Sequence, residues 1–176
     1  MNFESKIFTL ADKLKEQTIR TRRDLHKHPE SAFTEFRTAS IVAQTLTKLG
    51  YDVLVGEQAN KEEAMMGVPP AKELEAHMQR AIEQGADPEL VNKMKGGKTG
   101  VVGIMKFAKS GATVGLRFDM DSNDVGETED AGHKANKEGF ASINKNCMHA
   151  CGHDGHTAVG LSVAQILSEL KDELSG

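Results

Sequence analysis

Five of the ten residues from Cys147 to His156 are cysteine or histidine: Cys147, His149, Cys151, His153 and His156. Thiolate and imidazole are the usual ligands of zinc and related divalent ions. Cys151 and His153 stand two apart. In an extended stretch such a pair points the same way, so both side chains reach one ion. Asp154 can orient an imidazole from behind, and Gly152 and Gly155 permit tight backbone geometry. Two blander readings compete: a structural loop that happens to hold these residue types, and a Cys147–Cys151 disulfide. A reducing compartment disfavours the disulfide, and metal capture is the preferred chemistry.

A second candidate is Arg117-Phe118-Asp119-Met120-Asp121, where an expected strand meets an acidic loop. Ligands of α/β sheets gather beyond the carboxyl ends of strands. Asp119 and Asp121 are therefore placed to ligate a metal or to orient a histidine that does. The D-x-D spacing is a weak signal alone and gains weight beside the Cys/His segment.

Other chemistry-bearing residues have plainer readings. Gly96-Gly97-Lys98-Thr99 resembles the end of a phosphate-binding loop, but Asn92 stands where that motif needs its first glycine, so a turn is expected. Glu127, Glu129 and Asp130 read as a solvated loop, and Glu62-Glu63 as a solvated face. His26 and His28 flank the end of the first helix, where the macrodipole favours them as caps. His77 and His133 read as surface residues.

These candidates need elements to position them. Phe3, Ile7, Leu10, Ala11 and Leu14 mark one face of a helix that stops before Pro29. Thr34 is an expected N-cap for a second helix, which Gly50 closes. Tyr51 to Val55 reads as a strand. Residues 56–97 form a polar insert with short helices near 71–84 and 88–95. Val101 to Phe107 and Thr113 to Phe118 read as the two strands of a hairpin. Residues 119–152 read as loop, and a last helix runs from about His153 to Leu170. The order of helix, glycine and strand points to an α/β fold.

Composition narrows the function. The 176 residues fit one domain. With 22 basic and 26 acidic side chains, the net charge is −4. No basic footprint for nucleic acid is present. Aromatics make up 5% with no Trp, so base-stacking platforms are not expected either. No apolar run approaches the ~18 residues of a membrane span. Met1 to Leu10 carries Glu4 and Lys6 and does not read as a signal peptide. Lys171-Asp172-Glu173-Leu174 is followed by Ser175 and Gly176, so it is discounted as a retention signal. Two cysteines in such a chain point to a reducing, cytoplasmic setting.

Met148 through Thr157, together with Arg117 through Asp121, resembles the metal-dependent amidohydrolases of the co-catalytic metallopeptidase type. That family includes hippurate hydrolase, N-acyl-amino-acid amidohydrolases and indole-acetyl-amino-acid hydrolases. Arg22 through Glu30 matches its N-terminal helix end. Thr34 through Ala39, Met66 through Pro69 and Gly139 through Ser142 are most similar to its aminobenzoyl-glutamate-utilising members.

The resemblance implies an α/β fold that is part of a co-catalytic metallopeptidase-like catalytic domain, with a mixed sheet flanked by helices and the lid/dimerisation domain absent. Residues 1–176 would form a single truncated catalytic-type domain with the helical insert at about 56–97. Cys151 would be a metal ligand bridging two divalent ions, Mn²⁺ or Zn²⁺, and His153 a terminal ligand. Asp121 would be the catalytic-site carboxylate that tunes the metals. Asp119 is left unassigned, and Asp154 and His156 belong to the motif without direct ligation. Family members continue to a Glu-Glu pair and further histidine ligands, for which Glu169 and Glu173 do not stand in.

The expected reaction is hydrolysis of N-acyl-amino acids, p-aminobenzoyl-glutamate among them, with this chain inactive alone. The expected partners are that small-molecule substrate and either a separate C-terminal half or a second copy. Two further readings stay open. One is a non-catalytic subunit that binds metal or pairs with the other half. The other is a thiol redox module of Cys147 and Cys151, which lacks a C-x-x-C spacing.

Overall fold

The computed structural model describes residues 2–176; Met1, the first residue of the segment read for a leader, lies outside it. Helix α1 (Phe3–Lys27) starts where the Asn2 side chain accepts the Ser5 amide at 2.8 Å, and it ends ahead of Pro29. Helix α2 (Phe36–Lys48) follows after a turn. Strand β1 (Asp52–Val55) leads through two short 3₁₀ turns to helices α3 (Ala71–Glu83) and α4 (Pro88–Lys93). Strand β2 (Val101–Ile104) precedes a long loop with one helical turn, α5 (Lys134–Lys137). Helix α6 (His153–Glu169) completes the elements. Among the described residues, no helix is long and apolar enough to cross a membrane.

The expected Thr34 cap of α2 is replaced by another. Thr34 turns its hydroxyl to the Ser31 carbonyl at 2.7 Å. The carboxylate of Glu30 instead accepts the amides of Arg37 at 3.0 Å and Thr38 at 2.8 Å. First-turn amides have no partner within the helix, so an acceptor from outside satisfies them. Glu30 is fully buried in doing so.

The insert is structural. Leu74, Ala81, Val91 and Met94 from α3 and α4 pack with Phe36, Ala39, Ala43 and Val55 in one apolar core. Gly56 lets β1 approach α4 closely: a Cβ there would meet the Lys93 carbonyl oxygen at 2.1 Å. Asp87 caps α4 by accepting the Glu89 amide at 2.8 Å, with Pro88 at the first helical position. Helix α1 lies along α6, joined by the hydroxyls of Thr18 and Ser162 at 2.6 Å.

The sheet differs from expectation. β2 pairs antiparallel with β1, from Asp52 opposite Ile104 to Val55 opposite Val101. Helices flank it, but among the described residues the ladder is this antiparallel pair rather than a mixed sheet. The expected hairpin is absent: residues 113–118 join no ladder. The chain after β2 is drawn away, because Phe107 and Lys109 exchange backbone hydrogen bonds with Leu174 and Gly176. Val114 and Leu116 are left 77% and 59% exposed.

Candidate metal centre

Two rungs build the centre before any side chain does. Asn123 and Met148 exchange both backbone hydrogen bonds at 3.0 Å, which lays the Cys/His segment against the loop after Asp121. The Asn123 side-chain oxygen then accepts the Cys151 amide at 3.0 Å. Gly152 turns the chain with φ of +86°, a left-handed conformation that favours glycine, and α6 begins at His153. Below the segment, Gly160 of α6 sits against Phe118; a Cβ there would meet the ring at 2.6 Å. That contact fixes α6 relative to the Asp119–Asp121 stretch.

Asp121, Cys151 and His153 come together as the sequence predicts. His153 Nδ1 lies 3.0 Å from Asp121 Oδ1 and 3.0 Å from the Asp121 carbonyl oxygen. The Cys151 thiol reaches the same carbonyl at 3.7 Å and is exposed. With Nδ1 donating to Asp121, His153 keeps Nε2 as the nitrogen available to a ligand. The donor types suit a divalent ion of the zinc or manganese kind. They are two donors with a carboxylate behind them. Among the described residues, no group of three or more His, Cys, Asp or Glu is arranged to hold a metal. The residues present therefore fit part of a site, and a closed coordination shell needs further ligands.

The other motif residues go elsewhere. The Asp119 amide donates to His156 Nδ1 at 3.0 Å, and the Asp119 carboxylate pairs with Arg117 at 2.6 Å. Asp154 does not back His153. It is buried and faces His26 Nδ1 at 2.7 Å and Arg22 Nε at 2.8 Å. Cys147 is buried and free, with its sulfur 2.9 Å from the Ser122 hydroxyl, while Cys151 is free and exposed. The two thiols face different partners.

Three residues escaped the sequence reading. His26 is buried rather than capping its helix, held between Asp154 and Glu127, whose Oε1 lies 3.0 Å from His26 Nε2. His28 does cap α1, with Nδ1 2.8 Å from the Asp24 carbonyl. The Glu127 side chain is only 5% exposed instead of solvated, and also meets His133 Nε2 at 2.9 Å and the Ser142 amide at 2.5 Å. The hydrogen bond to Asp154, foremost, with that to Glu127, raises the His26 pKa against the cost of burial. Burial raises Glu127 and Asp154, but their bonds to His26 and other partners outweigh it and hold both below the usual carboxylate range. His149 is buried with both ring nitrogens unpartnered, and burial pushes it down to about 4. Only the density of charged and His residues around positions 22–28 and 127–133 hinted at this network.

The Gly96–Thr99 stretch forms the expected turn. Gly97 has φ of +76° and packs on Phe33, Lys98 pairs with Glu57 and Glu62, and the Thr99 hydroxyl donates to Glu35 at 2.6 Å.

Residues 115–176, which contain Asp121, Cys151 and His153, match the family described as Peptidase family M20/M25/M40. Indole-3-acetyl-aspartic acid hydrolase of Enterobacter agglomerans is 46% identical over 155 residues, 88% of this chain and 36% of its own length. The crystal structure of an aminobenzoyl-glutamate utilization protein from Klebsiella pneumoniae superposes with a TM-score of 0.75 at 31% identity, over 100% of this chain and 37% of that one. A Bacillus subtilis protein, described as a dinuclear metal binding peptidase from the M20 family, superposes with a TM-score of 0.61 at 27% identity, over 94% and 34%. The likeness to the amidohydrolases is borne out, and the chain spans about a third of the length of the relatives it matches.

Proposed function

We propose, from a chain that matches the M20/M25/M40 peptidase family over residues 115–176, that it supplies part of the metal-binding face of a metal-dependent amidohydrolase. The substrate class is N-acyl-amino acids, with p-aminobenzoyl-glutamate the favoured member. Support comes from a hydrolase of an indole-acetyl amino acid and an aminobenzoyl-glutamate utilization protein as relatives. A cytoplasmic setting fits two free cysteines.

The observation that carries the reading is Asp121 behind His153, 3.0 Å from Oδ1 to Nδ1, with the Cys151 thiol on the same carbonyl. Cys151 and His153 Nε2 would hold the metal. Asp121 fixes the His153 tautomer and keeps the ring turned toward it. A divalent pair of Mn²⁺ or Zn²⁺ would supply Lewis acidity to the scissile carbonyl. The chain's own two donors do not close a shell, so the chain alone is proposed to be inactive on N-acyl-amino acids with Mn²⁺ added.

Elemental analysis after dialysis against Mn²⁺ or Zn²⁺, for wild type and Cys151→Ala, tests the reading. Near-stoichiometric metal that the variant loses supports it. No metal in either protein overturns a preformed half-site, and robust turnover by the isolated chain overturns the inactivity.

A second reading is a non-catalytic subunit that pairs with a separate C-terminal half or with another copy. Val102, Ile104, Val114 and Leu116 favour it: all are exposed apolar residues on β2 or on the unpaired extended stretch. A monomer at every concentration in sedimentation, with no partner captured, counts against it.

A further inference from the structure

We propose that His26 is a positioning residue that fastens both ends of the Cys147–Asp154 segment and so sets the placement of Cys151 and His153. The inference rests on the metal reading of that segment for its purpose, but its geometry stands independently. From His26 Nδ1 the path runs 2.7 Å to the Asp154 carboxylate, at the segment's far end. From Nε2 it runs 3.0 Å to Glu127 Oε1. The other oxygen of Glu127 accepts the Ser142 amide at 2.5 Å, and the Ser142 hydroxyl donates to the Cys147 carbonyl at 2.7 Å, at the near end. One imidazole on α1 therefore closes a ring of hydrogen bonds around the eight residues that hold both proposed ligands.

The ring needs His26 as a cation. Each nitrogen faces a carboxylate, and a neutral imidazole donates from only one. Only the charged form donates to both. The charged and titratable groups around it are Arg22 on α1, Asp154 at the start of α6, and Glu127 and His149 on the loop, with His133 behind Glu127. Phe140 meets the ring edge-on at 5.6 Å. A charge-assisted pair at each nitrogen ties α1 both to the start of α6 and to the loop at Glu127. Loss of the proton breaks one of the two links and opens the ring, while Arg22 still holds Asp154.

The test follows the buried Cys147 thiol in the full chain. An aromatic disulfide reagent is applied under native conditions, and mass spectrometry resolves Cys147 from Cys151. In His26→Gln, modification of Cys147 is expected to rise by about tenfold or more through local opening, while Cys151, already exposed, changes little. Cobalt titration should weaken by a similar factor. Leu74→Ala, a core variant away from the segment, should leave Cys147 protected at a matched urea midpoint. Wild-type protection of Cys147 in a folded His26→Gln overturns the inference.

Should His26→Gln not fold, wild type decides by NMR. As the His26 ring loses its proton above its ordinary range, the Gly152 and Gly155 amides should move with the same midpoint. Amides that stay fixed while the ring titrates overturn the inference. No cobalt uptake by wild type would overturn the metal reading alone, because the Cys147 and glycine readouts need no metal.

Discussion

The Asp121 carboxylate and carbonyl both take His153 Nδ1, each at 3.0 Å, so one residue supplies two acceptors to one nitrogen. This arrangement fixes the ring plane as well as the tautomer. Carboxylates behind metal-binding histidines typically contribute about 10–100-fold to metal affinity. Asp121→Asn keeps the carbonyl contact and loses the charge. Its expected effect is a loss of Mn²⁺ or Zn²⁺ affinity toward the lower end of that range, read by competition with a chelator. Unchanged affinity would remove Asp121 from the site.

Glu35 provides a pH handle far from the metal segment. Burial raises its pKa to about 7, against the counteracting hydrogen bond from Thr99. The folded chain therefore binds a proton more tightly than the unfolded chain. Stability is highest below the unfolded value near 4.5 and falls as pH rises through about 7. The fall is on the order of 3 kcal/mol at full ionisation. Glu35→Gln keeps an acceptor for Thr99 and should flatten that slope in urea melts at pH 4.5 to 8. An unchanged slope would place the titration elsewhere.

Two glycines of the Cys147–His156 segment and its helix should fail for different reasons. A Cβ on Gly152 meets nothing within 4 Å, but φ is +86°. Gly152→Ala should cost about 1 kcal/mol from backbone strain alone. A Cβ on Gly160 meets the Phe118 ring at 2.6 Å. Gly160→Ala should cost about 1–3 kcal/mol through overpacking, and Phe118→Leu in the same chain should recover part of it. Urea denaturation reads both. Equal costs without rescue would contradict the contact.

The exposed extended stretch predicts self-association. Leu116 is 59% exposed, and residues 113–118 around it form no ladder. Leu116→Glu should lower the weight-average mass in light scattering at high concentration, if wild type associates through this edge. An associating wild type that the substitution leaves unchanged would move the contact to another face.

Local spacing carried much of this architecture. Periodic apolar residues placed α1 and α6, and the punctuation of the polar insert placed α3 and α4, to within about two residues at each end, the usual uncertainty of helix boundaries. The Cys151–His153 spacing and the D-x-D stretch identified the residues that do converge, because both lie in short segments whose local geometry constrains them. Residues 113–118 read as a strand, yet a ladder needs a partner that the local pattern does not name, and the structure supplies none among the described residues.

The sequence by itself determined the residue types at the centre, the helices that carry them and the amidohydrolase likeness. Tertiary structure decided which acid serves which histidine. Asp154 is adjacent to His153 in the chain but bonds His26, 128 residues away, and Glu127 is buried by a histidine 101 residues away. Such pairings are set by how α1 lies along α6 and how the loop folds over both. A charged side chain reads as solvated until its distant counter-charge removes it from water, and no local pattern encodes that partner.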